Sequence, residues 1–152
     1  MPTNSPILGP VIALIGWTLV VWIWMYATRL PAMRRARIDA INMVGSTGAG
    51  LRADLIGKGE TRASWVADNY NHLHEQPTLF YAVCIVHVLI GSGGGLNAQI
   101  AWGYVALRIA HSLVQIVVNR VLVRFAIFML ASLCLVALTL HAAMAYFGWH
   151  HG

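Results

Sequence analysis

Residues 68–81 read DNYNHLHEQPTLFY, and what this stretch is decides what kind of fold the chain adopts. It places an ionisable residue, Glu75, inside a run that is otherwise apolar enough to lie in a membrane. A carboxylate near hydrocarbon is costly unless it is paired or faces water, so Glu75 marks a functional site and demands a partner elsewhere in the chain. At helical spacing Asp68, Asn71, His72 and Glu75 fall on one side, three and four residues apart. Pro77 interrupts the backbone ladder and is expected to bend the helix, a defect that neighbouring helices or water accommodate in a membrane.

The rest of the chain agrees that this is membrane. Of 152 residues, 59% are hydrophobic and only 10% charged, against about a quarter charged in an ordinary soluble domain. Four apolar stretches, at 7–27, 64–89, 98–118 and 122–147, reach the roughly 20 residues that a helical span requires. None alternates in polarity as barrel strands would. The expected fold is a single all-α membrane domain, residues 1–152, built as a four-transmembrane-helix bundle.

The net charge of +5 does not point to nucleic acid, because the cations form no aromatic-interleaved patch. They read as topology signals. Seven of the ten Lys and Arg residues (Arg29, Arg34, Arg35, Arg37, Arg52, Lys58, Arg62) lie between the first two spans, and Arg120 and Arg124 bracket the third connection. Residues 91–96 carry neither Lys nor Arg. The positive-inside rule then puts the first and third connections in the cytoplasm and both termini outside. The opening MPTNSP has no basic region, so the first span is expected to remain as a helix rather than be cleaved as a signal peptide.

Taken in order, the first helix carries Trp17, Trp22, Trp24 and Tyr26 as an interface belt and is expected to end near Pro31, with MRRARIDA able to extend it. Its arginines read as headgroup anchors. Residues 42–61 contain five glycines and read as a loop with at most a short helical turn, after which Thr61 caps the second helix. The GSTGAG within them lacks the preceding strand and following Lys-Ser/Thr of a phosphate loop. His72 and His74 point to different faces with no third ligand, so no metal site is expected. GSGGG at 91–95 is a turn. On the third helix Arg108, His111, Gln115 and Asn119 recur at intervals of three, four and four. Counting the helical rise from the basic end, Glu75 and Arg108 both lie roughly 16 to 20 Å inward, so they are expected to interact directly or through a shared ligand. His87 and His141 read as hydrogen-bonded between helices, Cys84 and Cys134 as packed free thiols, and Trp149 as an interface residue of the tail.

The stripe NHLHEQPTLFY, the RIAHSLVQ of the third helix and the NRVLVRF leading into the fourth together resemble the MAPEG family, membrane-associated proteins of eicosanoid and glutathione metabolism, and its bacterial members most. The resemblance covers nearly the whole chain. It implies a homotrimer of four-helix bundles in the bacterial inner membrane, with glutathione as cofactor, bound between subunits. It further implies that Glu75 holds the glutathione amino group, that Arg108 and His111 support Glu75 and a carboxylate, and that Arg124 faces the thiol as the catalytic residue. Asn71, His72 and Gln115 complete the implied binding set. The sequence departs from the glutathione-using pattern where Asp68 replaces a helix-2 arginine, His72 stands three before Glu75 with Asn71 one position earlier, Gln115 replaces a tyrosine, and Phe125 follows Arg124.

Two functional readings follow. The first is a glutathione-dependent transferase or peroxidase acting on a lipophilic electrophile that arrives from the bilayer. The second is a non-catalytic membrane protein of the same scaffold that binds a lipid or a protein partner. A transporter is a third, and it lacks the inverted repeat such a protein would show.

Overall fold

The structure, a computed structural model, describes residues 4–39 and 41–148. Trp149 lies outside them. Six helices follow one another: α1 (Leu8–Arg35), α2 (Gly48–Gly57), α3 (Thr61–His72), α4 (Gln76–Leu89), α5 (Gly95–Val117) and α6 (Val121–Phe147), with no strand among the described residues. Three of them, α1, α5 and α6, are each long and apolar enough to cross a membrane.

The direction of each helix follows from contacts at the two ends of the bundle. At the basic end Arg35, the last residue of α1, forms a two-pronged pair with Glu60 just before α3, at 2.7 and 2.8 Å. At the other end Ile7, just before α1, donates its N–H to Gly93 O after α4, at 3.0 Å. The α3–α4 segment therefore runs the length of α1 in the opposite sense. Gly9 of α1 abuts Trp102 of α5, so α5 returns parallel to α1. His141 near the end of α6 bonds Asn97 near the start of α5 at 2.7 Å, so α6 is antiparallel to α5.

The buried positions of α1 include Pro10, Leu14, Val21, Met25 and Ala32, spaced by four and seven. Such spacing makes one narrow seam rather than a broad face. Ile12, Leu19, Val20 and Ile23 are left exposed, a distribution that suits hydrocarbon or further protein and not water. Across the seam Phe80 of α4 stacks on Tyr104 of α5, centroids 4.4 Å apart. Polar ties cross the apolar core, as is usual where lipid offers no hydrophobic drive between helices. Asn69 of α3 donates to Ser112 of α5, and Gln76 of α4 donates to Ser132 of α6 at 2.7 Å.

Four expectations need correcting. The second span is not one bent helix. It is broken into α3 and α4 at residues 73–75, just before Pro77, which sits in the first turn of α4. There its missing N–H removes no helical bond, while its ring would clash with the carbonyl four residues back if the helix continued. Secondly, α1 does not end near Pro31 but takes the extension that MRRARIDA allowed, continuing to Arg35 and ending where Arg37 takes a left-handed conformation at φ 52°. Thirdly, the glycine-rich connection holds the ten-residue helix α2, whose Thr47 caps Gly50 N at 3.1 Å and whose buried Leu55 packs with Ala32, Ala36 and Ala63. Finally, Thr61 is the first residue of α3 rather than its cap, which is Glu60.

His87 and His141 do bond between helices as expected. His87 Nε2 lies 3.0 Å from Leu138 O and Nδ1 2.7 Å from Ser92 Oγ. A carbonyl only accepts, so Nε2 carries the proton and, in the neutral ring, Nδ1 accepts from the serine hydroxyl. Both cysteines are free, with Cys84 buried.

Candidate active site

The break between α3 and α4 creates the site. α3 ends at His72, and its last turn tightens as His74 N bonds Asn71 O at 2.9 Å. The carbonyl of His72 accepts only a long bond from Glu75 N, at 3.5 Å, and from α5 Arg108 Nη2 donates to it at 2.9 Å. A cation at a helix carboxy terminus is favoured by the aligned peptide dipoles. Arg108 is wholly buried, at 0% exposure. Its Nε and Nη1 meet no acceptor among the described residues.

Glu75 does not bond Arg108 directly. It lies in the break, with a side chain 67% exposed, and its Oε2 comes within 3.2 Å of His72 Nδ1, an approach whose geometry falls short of a hydrogen bond. His72 thus stands between the two, its ring toward Glu75 and its carbonyl toward Arg108. The reason is the helix break, which turns Glu75 off the line that a continuous helix would have kept.

His72 meets His111 of α5 edge to face, with centroids 5.3 Å apart. Phe128 of α6 covers both rings, at 5.8 and 6.3 Å, and lies 5.9 Å from the Arg108 guanidinium carbon, within cation–π range. The two histidines and Phe128 border a cavity of about 220 Å³ that Val121, Arg124 and Phe125 complete. Arg124 enters it from the first turn of α6. Its Nη1 donates to Asn119 Oδ1 at 2.6 Å, while its Nε is buried without a partner among the described residues. Asn119 can reach it because it has left the α5 helix and sits in the left-handed region at φ 53°, a conformation asparagine tolerates better than most residues.

Of the residues singled out in the sequence, the structure gathers His72, Glu75, Arg108, His111 and Arg124. It separates the other two. Asn71 is exposed on a different face of α3 and lines a cavity between α1, α2 and α3. Gln115 is buried in α5, its Oε1 unpartnered among the described residues, and does not border the His72 cavity. Asp68, the departure from the helix-2 arginine, is held by Arg52 Nε at 2.9 and 3.0 Å. Sequence reasoning missed Phe128 and Val121. Phe128 carried a signal, since it lies four residues past Arg124 and so on the same face of α6.

Chemically, the cavity offers an anion or thiolate the Arg124 guanidinium and two imidazoles beside an aromatic wall, with the exposed carboxylate of Glu75 next to His72 and Arg108 buried behind it. Among the described residues no group of three potential ligands gathers for a metal. The model of the MAPEG family matches residues 7–144 of the chain. No curated protein and no solved structure matches it.

Proposed function

The chain belongs to the MAPEG family, and from that premise we propose that it is an integral membrane glutathione-dependent transferase or peroxidase acting on lipophilic electrophiles. The observation that carries this reading is Arg124, a guanidinium with an unpartnered Nε at the edge of a cavity shared with His72 and His111. A free thiol has a pKa near 8.5, and a neighbouring guanidinium favours the thiolate, which is the attacking species. Glu75 offers an exposed anion for the ligand ammonium, and Arg108, wholly buried off the cavity wall, supports His72 from behind. His72, which accepts from Arg108 at its carbonyl and faces Glu75 with its ring, then takes the place of the direct Glu75–Arg108 bond.

The cavity of about 220 Å³ falls below the roughly 300 Å³ at which small-molecule sites begin. A tripeptide needs more room. A second copy of the chain completes the site in this reading, in a homotrimer whose α3–α4 segment forms the second of four spans. The same reading sets the protein in a bacterial inner membrane, with the α1–α3 and α5–α6 connections cytoplasmic and the termini outside. Conjugation of glutathione to a chloronitrobenzene tests it. Wild type turns over and Arg124→Ala loses at least tenfold in rate with its oligomer intact, whereas equal turnover removes Arg124 from the mechanism.

One observation favours the second reading, a non-catalytic scaffold that binds a lipid or a protein partner. Where glutathione-using relatives place an arginine, Asp68 stands here and occupies Arg52, so that position presents no free cation. In that case wild type binds no thiol ligand.

A further inference from the structure

We propose that the cavity of about 330 Å³ between α1, α2 and α3 binds a phosphate group, as presented by a phospholipid headgroup or by free phosphate. It is separate from the His72 cavity and does not depend on the thiol reading.

Three donor sets converge there from three helices. The amino terminus of α2 contributes Gly48 and Ala49 to the lining. The first N–H groups of a helix have no partner within it. Thr47 satisfies that of Gly50, leaving those of Gly48 and Ala49 without one among the described residues. Anions favour this position because the helix dipole and the free donors act together.

The second set points independently to a ligand. Ser64 of α3 lines the cavity, is only 2% exposed, and its Oγ has no hydrogen-bond partner among the described residues. A buried hydroxyl left unpaired costs stability. A ligand oxygen in the cavity removes that cost.

The third set is cationic. Arg29 of α1 borders the cavity, with a buried Nε that is likewise unpartnered. Arg52 of α2 stands on the rim and bonds Asp68 through Nε alone, leaving its terminal nitrogens available.

The charge balance selects the ligand. Two arginines against Asp68 give a formal +1, to which the α2 terminus adds about half a charge. A phosphate carrying one or two negative charges brings the site to within about half a charge of neutral. The depth suits a headgroup. Arg29 is six residues from Arg35, the end of α1, about 9 Å of helix, which places the cavity at the edge of the apolar seam rather than in open solvent.

The test uses the full chain in dodecyl maltoside, whose headgroup carries no phosphate, reading the thermal unfolding midpoint as phosphatidylglycerol is added. A second arm adds inorganic phosphate at constant ionic strength without that lipid. Four chains are compared: wild type, Ser64→Ala, Arg29→Gln, and Arg34→Gln on the exposed face of α1. Ser64→Ala folds, because it deletes a hydroxyl that has no partner. The expected result is a saturable rise in midpoint for wild type and Arg34→Gln, with half-saturation shifted about tenfold in Ser64→Ala and Arg29→Gln, as loss of a hydrogen bond to a charged group implies. Saturation by lipid alone assigns the phosphate to a headgroup, and saturation by inorganic phosphate with the same variant dependence assigns it to the free anion. Both support the site. An equal response in all four chains, or none in wild type to either probe, overturns it.

Discussion

Arg108 is buried without exposure, yet only its Nη2 meets an acceptor, the His72 carbonyl. Its burial is therefore sustained in contact by a helix terminus and a nearby aromatic face, with no carboxylate bonded to it among the described residues. Two expectations follow for stability in detergent, read by tryptophan fluorescence during denaturant unfolding. Glu75→Gln changes it by less than about 1 kcal/mol, as for other exposed charges. Arg108→Met is neutral or stabilising by up to about 4 kcal/mol, the behaviour of buried charges replaced by apolar groups of similar size. A loss of several kcal/mol in Glu75→Gln would mean that the carboxylate is a direct partner of Arg108 after all. At this scale the sequence was legible in which residues mattered and not in how they pair. Spacings of three and four brought His72, Arg108 and His111 onto facing stripes, but the step that turns Glu75 outward is a backbone event that side-chain periodicity does not encode.

At the scale of elements, Pro77 was the visible sign of the α3–α4 break, and its displacement to residues 73–75 follows from the tolerance of a first helical turn for proline. Helix α2 was hidden for a different reason. Gly48, Gly50 and Gly57 all disfavour a helix, and the segment forms one because Thr47 caps it and Leu55 buries against Ala32, Ala36 and Ala63. Lys58 anchors its far end by donating to Ala36 O at 2.8 Å. The GSGGG turn, read correctly as a return of the chain, has a packing role that composition did not reveal. A Cβ on Gly93 would lie 2.9 Å from Ile7 Cγ2 and still closer to Ser5 Oγ, against the strand of chain that docks by the Ile7 N–H to Gly93 O bond. Gly93→Ala is expected to destabilise by about 1 to 3 kcal/mol, the usual cost of overpacking, and thermal unfolding of the purified variant checks it. Gly94→Ala, where a Cβ meets nothing within 4 Å, is the matched control.

At the scale of the whole molecule, the membrane-type character was legible from composition, because 59% hydrophobic residues cannot be buried within a single small bundle, and the helical character from apolar runs of span length that do not alternate. Ile12, Leu19 and Ile23 of α1 and Leu122, Phe125 and Leu133 of α6 remain exposed. They need lipid or further copies of the chain against them. Phe125 lies beside Arg124 on the wall of the 220 Å³ cavity, so a neighbouring copy seated there would enlarge the site as well as cover the surface. Mass measurement in detergent is expected to return three chains, and a monomer that still binds ligand would refute the shared-site account. The central claim is that the Arg124 cavity holds a thiol ligand, and calorimetry of glutathione binding to the purified protein tests it most directly, on wild type beside Arg124→Ala. Saturable binding that the variant loses is the expected result. No binding to wild type at millimolar glutathione would contradict it and leave the non-catalytic scaffold as the reading of this chain.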